Sequence, residues 1–285
     1  MNYKCFEVDV QEHIAHVRLS RPDQRNSMII AFWNELPAII KQLDSDGDVR
    51  AIVISSTGPH FSSGMDVSVF GGAPSTLDQE RSLQRPARMR DTIRRLQDSF
   101  TAMERARVPV LAAIQGGCIG AGVDLVTACD MRYATKDAFF TIYETNLAMT
   151  ADVGTFPRIC KLMPDGMVRE LAYTGRQLSA SDAVTYGLVN AVFEDHEQMV
   201  DGVLEIASVI ASKAPLAVHG CKQMILHARD NTVSDTLDYV ALWNASFFQR
   251  EEIAEAMAAA NSQREGEFAA LPASTGVDID TLDLS

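Results

Sequence analysis

The sequence predicts an α/β protein, with a sheet core followed by a helical C-terminal layer. Strand-length apolar runs fall in the first two thirds of the chain, while helical periodicity dominates the last third. Two of those runs, AIVIS at 51–55 and PVLAAI at 109–114, are nearly continuous in apolar residues, as in strands buried on both faces. Each leads directly into a glycine-containing loop.

Taken in order, Phe6, Val8 and Val10 alternate with polar residues, and so does HIAHVRL at 13–19, which predicts a hairpin. RPDQRNSM at 21–28 breaks the alternation with loop chemistry. A helix is predicted over about 29–44, kinked by Pro37. After the strand at 51–55 comes the loop STGPHFSSGMDVSVF, then a polar segment at 72–84 that is expected to be mobile. A charged amphipathic helix over 88–105 presents Met89, Ile93, Leu96, Phe100 and Met103 on one side. Beyond the second buried strand, short strands are predicted at 130–134, 139–142 and 188–193, with helices between Phe156 and Thr185. From His196 to Ala260 the pattern is helical. The Ser/Gly/Asp-rich tail from 261 is expected to fray.

The bulk numbers narrow the function classes. The chain has 285 residues, 47% hydrophobic and 22% charged, with a formal net charge of −13. A chain this acidic argues against nucleic acid as the main partner. Five scattered cysteines without a CxxC pair, and six histidines without metal-ligand spacing, point away from disulfide frameworks and metal sites. No apolar run is long enough to span a bilayer. Together with an N-terminus lacking a signal core, this reads as a cytoplasmic protein.

The chemistry concentrates between Ala112 and Thr155. Glycine after a buried strand lets backbone N–H groups turn towards a ligand, in FSSGMD and again in QGGCIGAG. In the second loop those groups also open a helix, where the dipole favours negative charge. Two converging donors would form an oxyanion hole. Either loop alone could equally be a tight turn needed for packing. Three carboxylates, Asp124, Glu144 and Asp152, lie in apolar or small-residue surroundings around the second turn. An acid against apolar walls has a raised pKa and can exchange protons near neutrality. Singly, each could be a helix cap or a solvated loop charge.

LSRPDQRNSM, AIVISSTGPHFSSGMD, PVLAAIQGGCIGAGVDLVTACDMRYA and TGRQLSASDAVTYGLVNAVF together resemble the crotonase, or enoyl-CoA hydratase/isomerase, family across nearly the whole chain. The resemblance implies a spiral of ββα units with a helical C-terminal oligomerisation region. The implied division is a core at 1–195, helices at 196–262 and an acidic flexible tail at 263–285. It implies that the N–H groups of Met65 and Ala121 hold a thioester oxygen, although many relatives have glycine where Ala121 stands. It also implies homotrimers, often stacked as hexamers, and no cofactor beyond the CoA carried by the substrate.

Asp124 and Glu144 fall where hydratases of the family carry two glutamates that activate water. Here the first acid is shorter and Asp152 adds a third, a set similar to the dienoyl-CoA isomerase branch. The implied reaction converts 3,5-dienoyl-CoA into 2,4-dienoyl-CoA, removing a proton at C2 and adding one at C6. Those carbons are too far apart for one carboxylate, whose productive contacts are about 3 Å. Glu144 and Asp152 are therefore assigned to the two ends, with Asp124 polarising the diene. Hydration of a 2-enoyl-CoA by Asp124 and Glu144 is the alternative. The resemblance points to Arg25 for the CoA phosphates, and Lys222 is a second candidate.

Overall fold

A computed structural model of the protein describes residues 3–66, 68 and 84–274. Residues 72–83 of the segment expected to be mobile lie outside the described residues.

The predicted hairpin forms from β1 (Phe6–Gln11) and β2 (Ile14–Leu19), in antiparallel register from Phe6↔Leu19 to Gln11↔Ile14. Its turn places Glu12 and His13 at positive φ. Helix α1 (Ile30–Ser45) crosses to β3 (Ala51–Ser56), and Pro37 sits inside it without ending it. Helix α2 (Gln84–Arg105) leads to β4 (Val110–Ile114). There follow β5 (Gly117–Ile119), α3 (Ala121–Ala128), β6 (Met131–Thr135) and β7 (Phe139–Thr141). Next are α4 (Thr155–Ile159), α5 (Asp165–Thr174), β8 (Leu178–Ser179), α6 (Ala180–Thr185) and β9 (Ala191–Phe193). Four helices complete the described chain: α7 (His196–Ala211), α8 (Pro215–Asp230), α9 (Val233–Phe247) and α10 (Arg250–Asn261).

The main sheet has strand order β1-β2-β3-β4-β6-β9, and every pairing after the hairpin is parallel. Its central strands are buried on both faces, as their composition requires. Ile52, Ile54, Val110, Ala112 and Ile114 enter the large core with α1 and α2. Their alternates Ala51, Val53, Leu111 and Ala113 meet Met199, Val203 and Ala207 of α7. That four-residue spacing keeps one stripe of α7 on the sheet.

A second sheet, β5-β7-β8, stands beside the first. Strands β5 and β8 span three and two residues, too short for periodicity to reveal. The predicted strand at 188–193 begins only at Ala191, because Leu188 and Val189 are buried in the core instead.

Buried Asn26 joins the loops that surround the site. Its side-chain amide donates to the carbonyls of Thr57 and His60, and its own carbonyl accepts from the Ser62 hydroxyl. The tail departs from expectation up to Ser274. Leu271 is buried, Ser274 N–H donates to the Ser45 carbonyl at 2.7 Å, and Arg107 reaches the Pro272 carbonyl at 2.6 Å. Its remaining residues, 275–285, lie outside the described residues. No single helix among the described residues is long and apolar enough to cross a membrane.

Candidate active site

The two glycine loops meet. Ser62 N–H donates to the Gly117 carbonyl and Ile119 N–H donates to the Ser62 carbonyl, so the first loop runs as a short strand beside β5. On its other side, Met28 N–H donates to the Gly64 carbonyl and Asp66 N–H to the Met28 carbonyl. Backbone alternation then leaves the Met65 N–H on the side away from Met28. Gly64 has φ +81°, and a Cβ there would lie 3.1 Å from the Ala121 nitrogen and 2.6 Å from the Ile119 carbonyl oxygen. Only glycine permits that approach.

Ala121 is the first residue of α3, so its N–H has no partner within the helix. Its φ is not positive, and alanine therefore fits a place that often carries glycine. Among the described residues neither the Met65 nor the Ala121 amide has an acceptor. Both residues line one cavity of about 410 Å³, walled mainly by apolar side chains such as Ile93, Leu96 and Leu147. The apolar stripe of α2 is thus divided: Ile93 and Leu96 face this cavity, while Phe100 and Met103 enter the core.

All three acids line the same cavity. Asp124, in the first turn of α3, is only 1% exposed, and its Oδ1 accepts from Thr155 N–H at 2.6 Å and the Thr155 hydroxyl at 2.8 Å. Burial pushes its pKa up to about 7; the charges of Glu144 and Asp152 push the same way, and the Thr155 bonds oppose them. Glu144 opens a 3-10 turn at Glu144–Leu147, and its Oε2 is buried with no partner among the described residues. Burial raises its pKa, with a further push from Asp152. Asp152 sits at the rim, raised by partial burial, with its carbonyl held by the Gln97 side-chain amide at 2.7 Å. Three mutually repelling carboxyls beside two free amides can hold a proton and an ionised base together near neutrality.

The predicted cations separate. Arg25 is exposed on the 21–28 loop, and its carbonyl accepts the Ser63 N–H, which puts it next to the amide loop. Lys222 is a correction. It is 5% exposed, and its ammonium donates to the Met103 and Val108 carbonyls and to Asp130. Those three acceptors use its three hydrogens, so it ties α8 to the end of α2 and to the turns ahead of β4 and β6, and has none for a phosphate.

Thr155 and Gln97 escaped sequence reasoning, because their partners are backbone and side-chain groups 31 and 55 residues away. Among the described residues no cluster of three His, Cys, Asp or Glu could hold a metal ion.

The enoyl-CoA hydratase/isomerase family model matches residues 9–270. A mitochondrial Delta(3,5)-Delta(2,4)-dienoyl-CoA isomerase from Mus musculus is 40% identical over 93% of this chain and 81% of its own length. A peroxisomal one from Arabidopsis thaliana is 39% identical over 95% of this chain and 99% of its own. Among solved structures, an enoyl-CoA hydratase from Bacillus anthracis superposes with TM-score 0.84 at 27% identity, covering 93% of this chain and 99% of that one. A Thermobifida fusca YX chain, described as an enoyl-CoA hydratase and solved in complex with CoA, gives 0.76 at 26%, over 85% and 92% of the two chains. The relatives' compartments overturn the cytoplasmic expectation: they are mitochondrial or peroxisomal. The likeness spans both glycine loops, the sheet and the C-terminal helices: the chain belongs to the enoyl-CoA hydratase/isomerase family.

Proposed function

We propose that the protein isomerises 3,5-dienoyl-CoA to 2,4-dienoyl-CoA in fatty acid oxidation, with no cofactor other than the CoA of the substrate. The observation that carries this reading is Asp152, a third acid in the cavity that already holds Asp124 and Glu144. Relatives at about 40% identity that carry this activity in their names support it. The Met65 and Ala121 amides hold the thioester oxygen and stabilise the dienolate. Glu144 and Asp152 move protons at the two ends of the diene, and Asp124 polarises it. Arg25, beside the amide loop, faces the CoA phosphates.

The protein works as a homotrimer or a dimer of trimers. Helix α9 has no buried residue, and Leu237, Leu242 and Phe247 of α9, Phe248 just after it, and Ile253 and Met257 of α10 are exposed in the single chain. An apolar surface of that extent supports burial against another subunit.

The test is a parallel assay of a 3,5-dienoyl-CoA and a 2-enoyl-CoA, with Asp152→Asn as control. The wild type converts the first to its 2,4-isomer. Asp152→Asn loses about a hundred- to ten-thousand-fold in turnover while keeping acyl-CoA affinity. Strong hydration of the 2-enoyl-CoA, with the diene untouched, would sink this reading in favour of a hydratase using Asp124 and Glu144.

A further inference from the structure

Asp152 sits on a stretch of chain that backbone bonding does not fix. Residues 150–153 lie between the Glu144–Leu147 turn and α4, and among the described residues none of them makes a backbone–backbone hydrogen bond. The acid is also under repulsion. Its charge pushes up both Glu144 and Asp124, so an untethered Asp152 would turn from the cavity towards water.

Two side-chain donors hold the stretch instead. Gln97 of α2 donates its amide to the Asp152 carbonyl at 2.7 Å, and Arg158 of α4 donates from Nη1 to the Gly154 carbonyl at 3.3 Å. Gly154 has φ +132°, and a Cβ there would run into the Arg158 guanidinium, so glycine lets the guanidinium lie against this turn. The other arm of the fork, Nη2, donates to the Thr101 hydroxyl at 3.1 Å and to Glu104 at 2.7 Å. Gln97, Thr101 and Glu104 follow at i, i+4 and i+7, so one polar stripe of α2 carries all these anchors. The neighbouring stripe of the same helix walls the acid cavity through Ile93 and Leu96. Burial works against ionised Glu104, but its bonds to Arg158 and Arg229 outweigh burial and hold the carboxyl below its ordinary range. A buried ion pair adds little net stability over apolar packing. This one also leaves the Arg158 Nε–H buried without an acceptor among the described residues. What the arrangement secures is geometry.

We propose that Gln97 and Arg158 are positioning residues for the isomerisation, which fix Asp152 in the cavity it shares with Glu144 and Asp124. This rests on the isomerase reading above. Gln97 acts through Asp152. Arg158 acts at Gly154, between Asp152 and Thr155, and so also steadies the residue that orients Asp124. Both side chains line a polar pocket beside the acid cavity and not the cavity itself.

Gln97→Met removes the donor at similar length. It should lower kcat about tenfold with KM within about twofold of wild type. Arg158→Lys keeps a charge for Glu104 but replaces the fork by a single nitrogen, and should lower kcat at least as far with KM again nearly unchanged. In an Asp152→Asn background, Gln97→Met should change the residual turnover by less than about twofold, because the carboxylate it positions is gone. Thermal melts establish that each variant is folded, and Gln97→Met, which deletes one amide at a half-buried position, carries the test if Arg158→Lys unfolds. A folded variant of either kind with wild-type kcat overturns the proposal. So does a tenfold loss from Gln97→Met that persists in the Asp152→Asn background, since it would not run through Asp152. A wild-type protein without diene isomerisation fails the isomerase reading itself, an outcome distinct from these.

Discussion

Thr155 holds a single oxygen of Asp124 twice, through its backbone N–H and its hydroxyl. The pair joins the first turn of α3 to the first residue of α4, so an acid supplied by one glycine loop is oriented by a segment 31 residues later. Both bonds favour the ionised form and oppose the burial that raises Asp124. Thr155→Val removes the hydroxyl and keeps the amide. The Asp124 pKa should then rise above about 7, and stability should fall by about 1 kcal/mol. The pH–rate profile checks this, with Thr155→Ser as the hydroxyl-retaining control. An unmoved acid limb in Thr155→Val counts against the coupling.

The same burial makes stability depend on pH. Asp124 rises from an ordinary 3.8 in the unfolded chain to about 7 in the fold. The folded state therefore binds the extra proton. The stabilisation is fully present below about pH 4 and is lost as pH rises through 7. Glu144 and Asp152, also raised, act in the same direction. His16, lowered by burial to about 4, acts oppositely between that value and 6.5, so the difference between two variants is the quantity to measure. Asp124→Asn keeps the oxygen that accepts from Thr155 and removes the charge. It should be more stable than wild type at pH 8, by on the order of 4 kcal/mol, with the gap closing towards pH 4. Urea midpoints across that range test it, and a gap independent of pH sinks the argument.

The parts of this site that could be read from the sequence are those written in local pattern. AIVIS and PVLAAI announce strands buried on both faces because every second residue has its own core to enter, as Ile52 and Val53 do on opposite sides. Asp124, Glu144 and Asp152 stood out as acids in apolar company, and the cavity gathers all three. What local pattern could not carry was partner choice. Lys222 looked like a free cation until three acceptors, from Met103, Val108 and Asp130, were found around it. The acidic tail looked unable to pack, yet Leu271 is buried and Arg107 captures the carbonyl behind it. Pairings across 92 or 165 residues follow from topology, and no periodicity records them.

Gly120 and Gly166 should respond oppositely to alanine. Gly120 caps α3 at φ 53° and ψ −121°, a conformation strained for an L-residue, and a Cβ there would stand 3.4 Å from Glu144 Oε1. Gly120→Ala should lose about 1–3 kcal/mol and shift the Ala121 amide and Glu144 together, lowering turnover more than substrate affinity. Gly166 lies in α5 with nothing within 4 Å of an added Cβ. Gly166→Ala should gain about 0.5–1 kcal/mol with activity unchanged. Thermal melts with steady-state kinetics separate the two, and a neutral Gly120→Ala would mean that the loop geometry is not needed.

Arg25 and Lys222 differ in whether the fold leaves a cation free, and paired substitutions separate their roles. Removing the Lys222 ammonium leaves two carbonyls and a carboxylate without their shared donor, at a site 5% exposed. Lys222→Met should cost about 3 kcal/mol, because the stranded Asp130 charge loses its partner. Asp130 keeps one bond, from Val110 N–H at 2.7 Å, which limits the loss. The KM for acyl-CoA should stay within about twofold, since Lys222 reaches no ligand surface. Arg25→Gln should do the reverse. The Arg25 side chain is exposed and its structural duty is carried by its carbonyl, which glutamine retains. Stability should hold within about 0.5 kcal/mol. KM should rise several-fold, and the effect should shrink at high salt, as expected for an exposed contact to phosphate. A raised KM in Lys222→Met with its melting temperature intact would return Lys222 to the CoA site.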